Sequence, residues 1–249
     1  IILHGLWRDK VDILLYFNQE LLKKCYWVMW GGDFYFPETK SNIRHEVIRN
    51  IGNLITYVKG DYELAQKWYD SSGEYHECFM YPSNLYKEYD ITQEKYTTTN
   101  IQLGNSADPT NNHIEVLKKL EKYKNEDIKI FAPLSYGDQV YAQDVIKKGK
   151  KLFGDKFIPL TEFMPFEKYL EFLGKIDIAI FAHKRQQAMG NITTLLGLGK
   201  KVYIRKDITP FDFFKKIGVK VFDLENIELK LIDEQIKQAN NQLIKKYFS

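Results

Sequence analysis

The stretch FAHKRQQAMGNITTLLGLGKKVYI, residues 181–204, decides how the chain is read. An apolar run stops at a cluster of Arg185, Gln186 and Gln187. Gly190 and Asn191 then open a short helical segment, Gly199 closes it, and Lys201–Ile204 reads as another strand. Strand, polar turn, helix and strand in this order is the repeating unit of a parallel sheet, whose right-handed crossovers bring each strand back to the same edge. The polar cluster falls at the carboxyl end of a strand, where open parallel sheets collect ligands. A guanidinium is a planar fork matched to phosphate oxygens, and the free amides of a helix start favour negative charge. The pattern asks for an anion.

Working outward, the same unit repeats. Strands are expected at 100–103, 128–132, 157–160, 176–181 and 201–204, with helices near 109–123, 138–152, 165–173, 191–198 and 210–217. An earlier series runs through strands at 1–3, 26–29, 54–58 and 77–81 and helices at 11–22 and 62–68, and a last helix is expected over 231–246. Between the two series, residues 82–99 lose their periodicity among Pro, Ser, Asn, Thr and charges, as interdomain linkers do. The expectation is an α/β protein of two Rossmann-like domains, residues 1–90 and 91–249, each built on a parallel sheet. The first residue is an Ile inside an apolar, strand-like segment, so the first domain is expected to be N-terminally incomplete.

Composition removes several classes. Hydrophobic residues at 44% and charged ones at 28% describe a globular chain, and a net charge of +3 is too small to argue for nucleic acid. Cys25 and Cys78 form no CxxC or Cys/His pattern, which disfavours a disulfide framework and structural zinc. No histidines stand at metal-ligand spacing with carboxylates, so no bound metal is expected. No apolar run reaches the roughly 18 residues of a membrane span. The chain has no GxxxxGK(S/T), no GxGxxG after the first strand of the second series and no YxxxK pair. P-loop nucleotidases, dinucleotide dehydrogenases and sugar-nucleotide epimerases are thereby disfavoured. Lysines at 118, 119, 122, 124, 147, 148, 150 and 151 make two basic helix ends, read as solvated faces or as a modest attraction to anionic lipid.

Three segments carry candidate chemistry. At 185–193, Arg185, Gln186, Gln187, Gly190, Asn191 and Thr193 are candidates for a phosphate group, the plain alternative being an ion-paired Arg185 and a capping Asn191. In GNSADPTNNHIEVLKKL (104–120), Gly104 permits a tight exit from the strand, and Asn105 and Ser106 place polar groups over it. Asp108–Pro109 fits a cap followed by proline at the first helical position. Such a turn holds a phosphate or is an ordinary capped connection, and the segment alone leaves both open. In YWVMWGGDFYF (26–36), Gly31–Gly32 turns the backbone sharply and sets Asp33 at the strand end. Trp30, Phe34 and Tyr35 flank it with flat faces on which sugars stack. An acid so placed binds hydroxyls or serves as a general base; the alternative is a capping Asp between two glycines. His4 is a second, lower-ranked candidate for the same place.

Taken together, WGGDFY, GNSADPTNNH and the 181–204 stretch resemble the bacterial TDP-N-acetylfucosamine:lipid II N-acetylfucosaminyltransferases, glycosyltransferase family 56. That family carries WGxDxY, GNSxDxxNxH and FxxxRQQxxGxxxxLLxxG segments in this order. The resemblance implies a GT-B fold, two Rossmann-like domains facing a cleft, with the donor nucleotide on the second and the acceptor on the first. It implies a metal-independent hexosyltransferase that moves N-acetylfucosamine from its TDP-sugar to a polyprenyl-diphosphate-linked saccharide of enterobacterial common antigen or a related surface glycan. The expected location is the cytoplasmic side of the bacterial inner membrane, in peripheral contact with it, with no cofactor beyond the donor and no nucleic acid. By motif position, Trp30, Gly31, Asp33 and Tyr35 fall on the acceptor side; Gly104, Asn105, Ser106, Asp108, Asn111 and His113 on the nucleotide side; and Arg185, Gln186, Gln187 and Gly190 at the diphosphate. Arg185 and the helix start at 190–191 would neutralise the leaving diphosphate, with Asn105 and Ser106 helping to hold it. Asp33 is the base if the reaction inverts and orients the acceptor if it retains. The alternatives are another GT-B glycosyltransferase of lipopolysaccharide or capsule synthesis, using a different nucleotide sugar, and a non-catalytic nucleotide-sugar-binding module.

Overall fold

The structure is a computed structural model that describes residues 1–88, 91 and 97–249. It contains two compact units: residues 1–82 with 185–187 and 208–213, and residues 83–184 with 188–207 and 214–249. The expected boundary at 90/91 and much of the expected linker fall outside the described residues.

In the first unit the chain runs β1 (Ile2–His4), α1 (Asp9–Phe17), α2 (Gln19–Leu22), β2 (Tyr26–Val28), α3 (Asn42–Asn50), β3 (Asn53–Ile55), α4 (Lys59–Tyr69) and β4 (Glu74–His76). The strands pair in parallel in the order β1-β2-β3-β4. Trp27, Phe34, Leu54, Ile48 and Tyr69 pack its core. Each fully buried side chain of this size contributes about 1.5–3 kcal/mol of transfer free energy.

Two expectations are corrected here, and one helix is new. The helix expected over 11–22 breaks at Asn18, whose φ of −128° and ψ of 65° lie outside helical space. The strand expected at 77–81 forms instead at Glu74–His76, where Ile55 pairs with His76. Helix α3 had no counterpart in the sequence reading. Ser41 caps it by accepting the Arg44 N–H at 3.1 Å, and its inward face carries Arg44 beside Val47 and Ile48. That arginine is ion-paired to the buried Asp12 of α1.

The second unit holds β5 (Thr99–Leu103), α5 (His113–Leu120), β6 (Ile128–Pro133), α6 (Gln139–Phe153), β7 (Phe157–Leu160), α7 (Phe166–Lys175), β8 (Ile178–Phe181), α8 (Met189–Gly197), β9 (Lys201–Ile204), β10 (Phe222–Asp223) and α10 (Glu234–Phe248). Helix α9 (Thr209–Lys216) lies between β9 and β10 in the chain. The six strands are parallel in the order β10-β9-β8-β5-β6-β7. Strand β8 buries Ile178 and Ile180 on one face and Ala179 and Phe181 on the other, and β5 buries Ile101 and Leu103 opposite Asn100 and Gln102, as in a sheet covered on each side. The strand order reverses between β5 and β8, and this is the switch point at which doubly wound sheets bind ligands. The helix expected near 109–123 is divided. A tight turn at Pro109–Asn111 precedes α5 because Asn112 adopts a left-handed φ of 49°, which a continuous helix does not allow.

Candidate functional site

The loop after β5 and the end of β8 come together at the switch point. The Gly104 N–H donates to Ile180 O at 2.9 Å, extending the β5–β8 ladder by one bond past the strands. The loops that follow are then stitched together: Asn112 Nδ2 donates to Ala182 O at 2.8 Å, and His183 Nε2 lies 2.9 Å from Asn111 Oδ1. Asn111 is the hub. Its Oδ1 also accepts the Asn105 N–H at 2.9 Å, and its Nδ2 donates to Ser106 Oγ at 3.2 Å and Asp108 O at 3.0 Å. A side chain at Gly104 would sit 2.6 Å from His113 Nε2 and 2.7 Å from Asn111 Oδ1, so the hub needs glycine there. The Asn105 amide and the Ser106 hydroxyl are therefore used inside the loop, while Asn105 Nδ2 reaches Tyr136 Oη at 3.1 Å. Burial pushes the His113 imidazole down to about 4, so it is neutral near pH 7.

Helix α8 opens at Met189, two residues before the expected start, behind Ala188 in a left-handed conformation (φ 57°). Among the described residues, no side chain caps it. Gly190 and Asn191 thus lie inside the first turn, where main-chain N–H groups have no intrahelical acceptor. Thr193 and Thr194 are turned away from such a role. Their hydroxyls bond back to main-chain carbonyls of Met189 and Gly190 one turn earlier. Asn191 is oriented by a relay the sequence reading missed. Gln102 Nε2 donates to Gly104 O at 3.0 Å and lies 3.5 Å from Tyr169 Oη, and the Tyr169 hydroxyl donates to Asn191 Oδ1. With its oxygen engaged, Asn191 presents its NH2 group as a donor.

The Arg185–Gln187 segment belongs to the first unit and packs against the WGGD turn. Gly31 has a φ of 79°, and a β-carbon there would sit 2.6 Å from the main-chain oxygen of Gln186. Beside it, a β-carbon on Gly32 would sit 3.3 Å from the guanidinium carbon of Arg185. Lys40 Nζ donates to Gly32 O at 3.0 Å, so an ammonium and a guanidinium meet at one glycine. Burial, and then the charges of Arg44 and Arg185, lower the Lys40 pKa. Lys40 had not been picked out from the sequence, where it is one lysine among many.

Asp33 is buried at the end of β2 and already engaged. Its Oδ2 accepts Trp27 Nε1 at 2.7 Å and Leu6 N at 3.1 Å, and Oδ1 accepts Trp30 N at 3.1 Å. Burial raises its pKa against the effect of these donors. These three donors tie the carboxylate into the turn. At the outer side of the same edge, Trp30 and Tyr81 pack with ring centroids 4.2 Å apart, and Tyr81 Oη lies 3.0 Å from His4 Nδ1. Trp30 is 41% exposed, leaving a flat face open. Tyr35 Oη donates to the buried Asp61 at 2.8 Å. Among the described residues, no three His, Cys, Asp or Glu side chains are grouped to hold a metal ion.

Two parallel, helix-covered units, one with its motif loops at a switch point, define the class: a GT-B-type glycosyltransferase fold. The chain is similar to the N-terminal domain of trehalose-6-phosphate phosphatase from Candida albicans (TM-score 0.67, 9% identity), covering 99% of this chain and 65% of that one. It is similar to a glycosyltransferase from Rickettsia africae ESF-5 (TM-score 0.66, 12% identity, 98% and 79% covered). It also matches WaaG, a glycosyltransferase involved in lipopolysaccharide biosynthesis (TM-score 0.62, 12% identity, 98% and 80% covered). These likenesses show the fold, and the chain spans just under two thirds of the Candida domain's length. The family model of the 4-alpha-L-fucosyltransferases, glycosyl transferase group 56, matches residues 1–247, and the chain belongs to that family.

Proposed function

We propose that the chain transfers a sugar from a nucleoside diphosphate sugar to a hydroxyl of a lipid-linked saccharide. The observation that carries this reading is the meeting of the 104–112 loop with residues 182–183 at the β5/β8 switch point, in the same unit as a helix start that, among the described residues, no side chain caps. In its specific form the donor is TDP-N-acetylfucosamine and the acceptor a polyprenyl-diphosphate-linked saccharide of enterobacterial common antigen or a related surface glycan. The enzyme is then a hexosyltransferase, peripheral to the cytoplasmic face of the inner membrane. Membership of the 4-alpha-L-fucosyltransferase group supports a fucose-type sugar in the donor. The exposed Ile13, Leu14 and Phe17 of α1, a helix whose buried side carries the ion-paired Asp12, support membrane contact, which cosedimentation with anionic vesicles checks.

The chemistry requires the departing diphosphate to be stabilised where its charge develops. Arg185, reinforced by Lys40 at Gly32, supplies a fixed cation for this, and the proposed step calls for no metal and no cofactor beyond the donor. Trp30, Tyr81 and His4 form a platform for the acceptor sugar. Asp33 and Gly31 hold the turn that carries Trp30, with Asp33 acting through that turn. Calorimetric titration of TDP and UDP into the wild type and Arg185→Ala tests the reading. TDP should bind, and the variant should lose about tenfold to a hundredfold in affinity. Unchanged affinity in the variant overturns the assignment. Equal uptake of UDP favours a different nucleotide sugar, and donor binding without transfer by the full-length protein favours a binding module.

A further inference from the structure

Gln102 breaks the apolar pattern of the second sheet. It stands one residue before the end of β5, between β8 and β6, and is fully buried on the face opposite Ile101 and Leu103. Its Oε1 meets no hydrogen-bond partner. A bare buried acceptor is costly, and an aliphatic side chain would fill the place without that cost, so the amide is retained for its other end. There Nε2 donates to Gly104 O at 3.0 Å and lies 3.5 Å from Tyr169 Oη of α7. The direction of the relay follows from this end. A carbonyl oxygen only accepts, so Gly104 O fixes the Gln102 amide with its NH2 group toward the loop, which leaves the second hydrogen for Tyr169 Oη. Tyr169 has one hydrogen of its own, and burial raises its pKa, so the hydroxyl keeps it. That hydrogen goes to Asn191 Oδ1. A carboxamide can lie either way round in its space; here the relay holds its oxygen toward Tyr169 and turns both N–H groups away.

We propose that Tyr169 is a positioning residue and Asn191 a donor to the ligand's diphosphate: the Gln102–Tyr169 relay locks the carboxamide so that it offers hydrogens, never a lone pair, at the opening of α8. Asn191 lies in the first turn of that helix, where negative charge is favoured and where, among the described residues, no side chain caps the start. An amide held this way meets phosphate oxygens and refuses a group that can only donate. The proposal rests on the reading that the chain binds a nucleoside diphosphate sugar, and it names a side chain of the second unit that recognises the diphosphate part.

A relay that only pinned α7 to α8 would be indifferent to what Asn191 offers on its outer side, and Asn191→Asp separates the two roles. A carboxylate accepts the Tyr169 hydroxyl at least as well as the amide and suits a helix start, so the variant should melt no lower than the wild type. It presents an oxygen where the wild type presents hydrogens, so calorimetric titration should show TDP affinity down by about a hundredfold, against about tenfold for Asn191→Ala. Wild-type affinity in Asn191→Asp overturns the proposal. Tyr169→Phe frees the carboxamide to turn over; with both orientations equally populated, affinity should fall about twofold, and this loss should vanish in an Asn191→Ala background. A loss that persists there overturns the part given to Tyr169. Nuclear magnetic resonance of isotope-labelled protein, without nucleotide, reads the orientation itself. The side-chain NH2 signals of Asn191, identified by their absence from Asn191→Ala, should move in Tyr169→Phe, and signals that stay in place overturn the relay whether or not TDP binds. If those signals move but the wild type takes up no TDP, the diphosphate reading fails, and the donor role of Asn191 with it. Should Tyr169→Phe fail to fold, Gln102→Leu, which removes the amide that sets the direction, carries the same measurements.

Discussion

The contact between Gly31 and Gln186 can be isolated by comparing two alanine substitutions. At Gly218 the backbone is left-handed (φ 83°), and a β-carbon there would meet its nearest atom, Leu243 Cδ1, at an ordinary 3.5 Å. Gly218→Ala thus introduces backbone strain alone, about 1–2 kcal/mol. At Gly31 the φ of 79° adds the same strain, but the new carbon also falls 2.6 Å from the Gln186 carbonyl oxygen and 3.0 Å from its Oε1. The first of these atoms is main chain and must move, by roughly 0.7 Å to restore van der Waals contact. Gly31→Ala should therefore cost about 1–2 kcal/mol more than Gly218→Ala in urea unfolding, comparable to other overpacking changes. Displacing the 185–187 segment should also weaken TDP binding about tenfold, because misplacement of less than an ångström is enough to lose a charge-assisted hydrogen bond. Gly218→Ala should bind TDP as the wild type does. If the two variants unfold at the same urea concentration and bind TDP equally, the WGGD turn does not set the position of Arg185.

Two further outcomes follow from the buried carboxylates. Asp61 keeps its proton up to about pH 7 when folded, whereas the unfolded chain releases it near 3.8. The folded state thus binds more protons between these values, so this contribution to stability is full below about pH 4, falls as pH rises and is lost above about 7. The total is on the order of 4 kcal/mol, at about 1.4 kcal/mol per pH unit. Denaturation of the wild type and Asp61→Asn at pH values spanning this range should show a slope in the former that is missing from the latter. Asp33→Asn replaces an acceptor of three N–H groups by an amide whose NH2 must face at least one of them. A loss of about 3 kcal/mol is expected from melting and denaturant curves, and a variant as stable as wild type would show that the turn does not need the carboxylate.

How much of this was legible in the sequence depends on the distance over which each feature is set. The β5–β9 alternation is local. Runs such as Ile178–Phe181 bury every residue, the helices between them are short, and the strand ends were placed to within two residues. The same locality made the 104–113 and 182–191 loops visible as strand-end loops. Helix α3 was hidden because its inward face carries Arg44, and a charged residue on a buried face is meaningful only beside Asp12, 32 residues earlier. Asp61 was hidden for the same reason. In KGDYELAQ it reads as an acid in the first turn of a helix, and only the hydroxyls of Tyr35 and Thr209, 26 and 148 residues away, make it a buried group with one bare oxygen.

The Arg185–Gln187 segment shows where local reading stops and long-range packing takes over. Its residue types were read as a candidate for an anion and it does follow β8, yet its neighbours in sequence do not include the glycine that accommodates it. Gly31 was read as one of a pair permitting a sharp turn. Its φ of 79° bears that out, but the missing side chain serves a second purpose, since the Gln186 oxygen occupies the space a β-carbon would fill. The glycine of the WGGD motif and the RQQ motif therefore constrain each other: the first cannot acquire a side chain without moving the second. Two motifs far apart in the sequence form one mechanical element, which is why they have to be read as a pair.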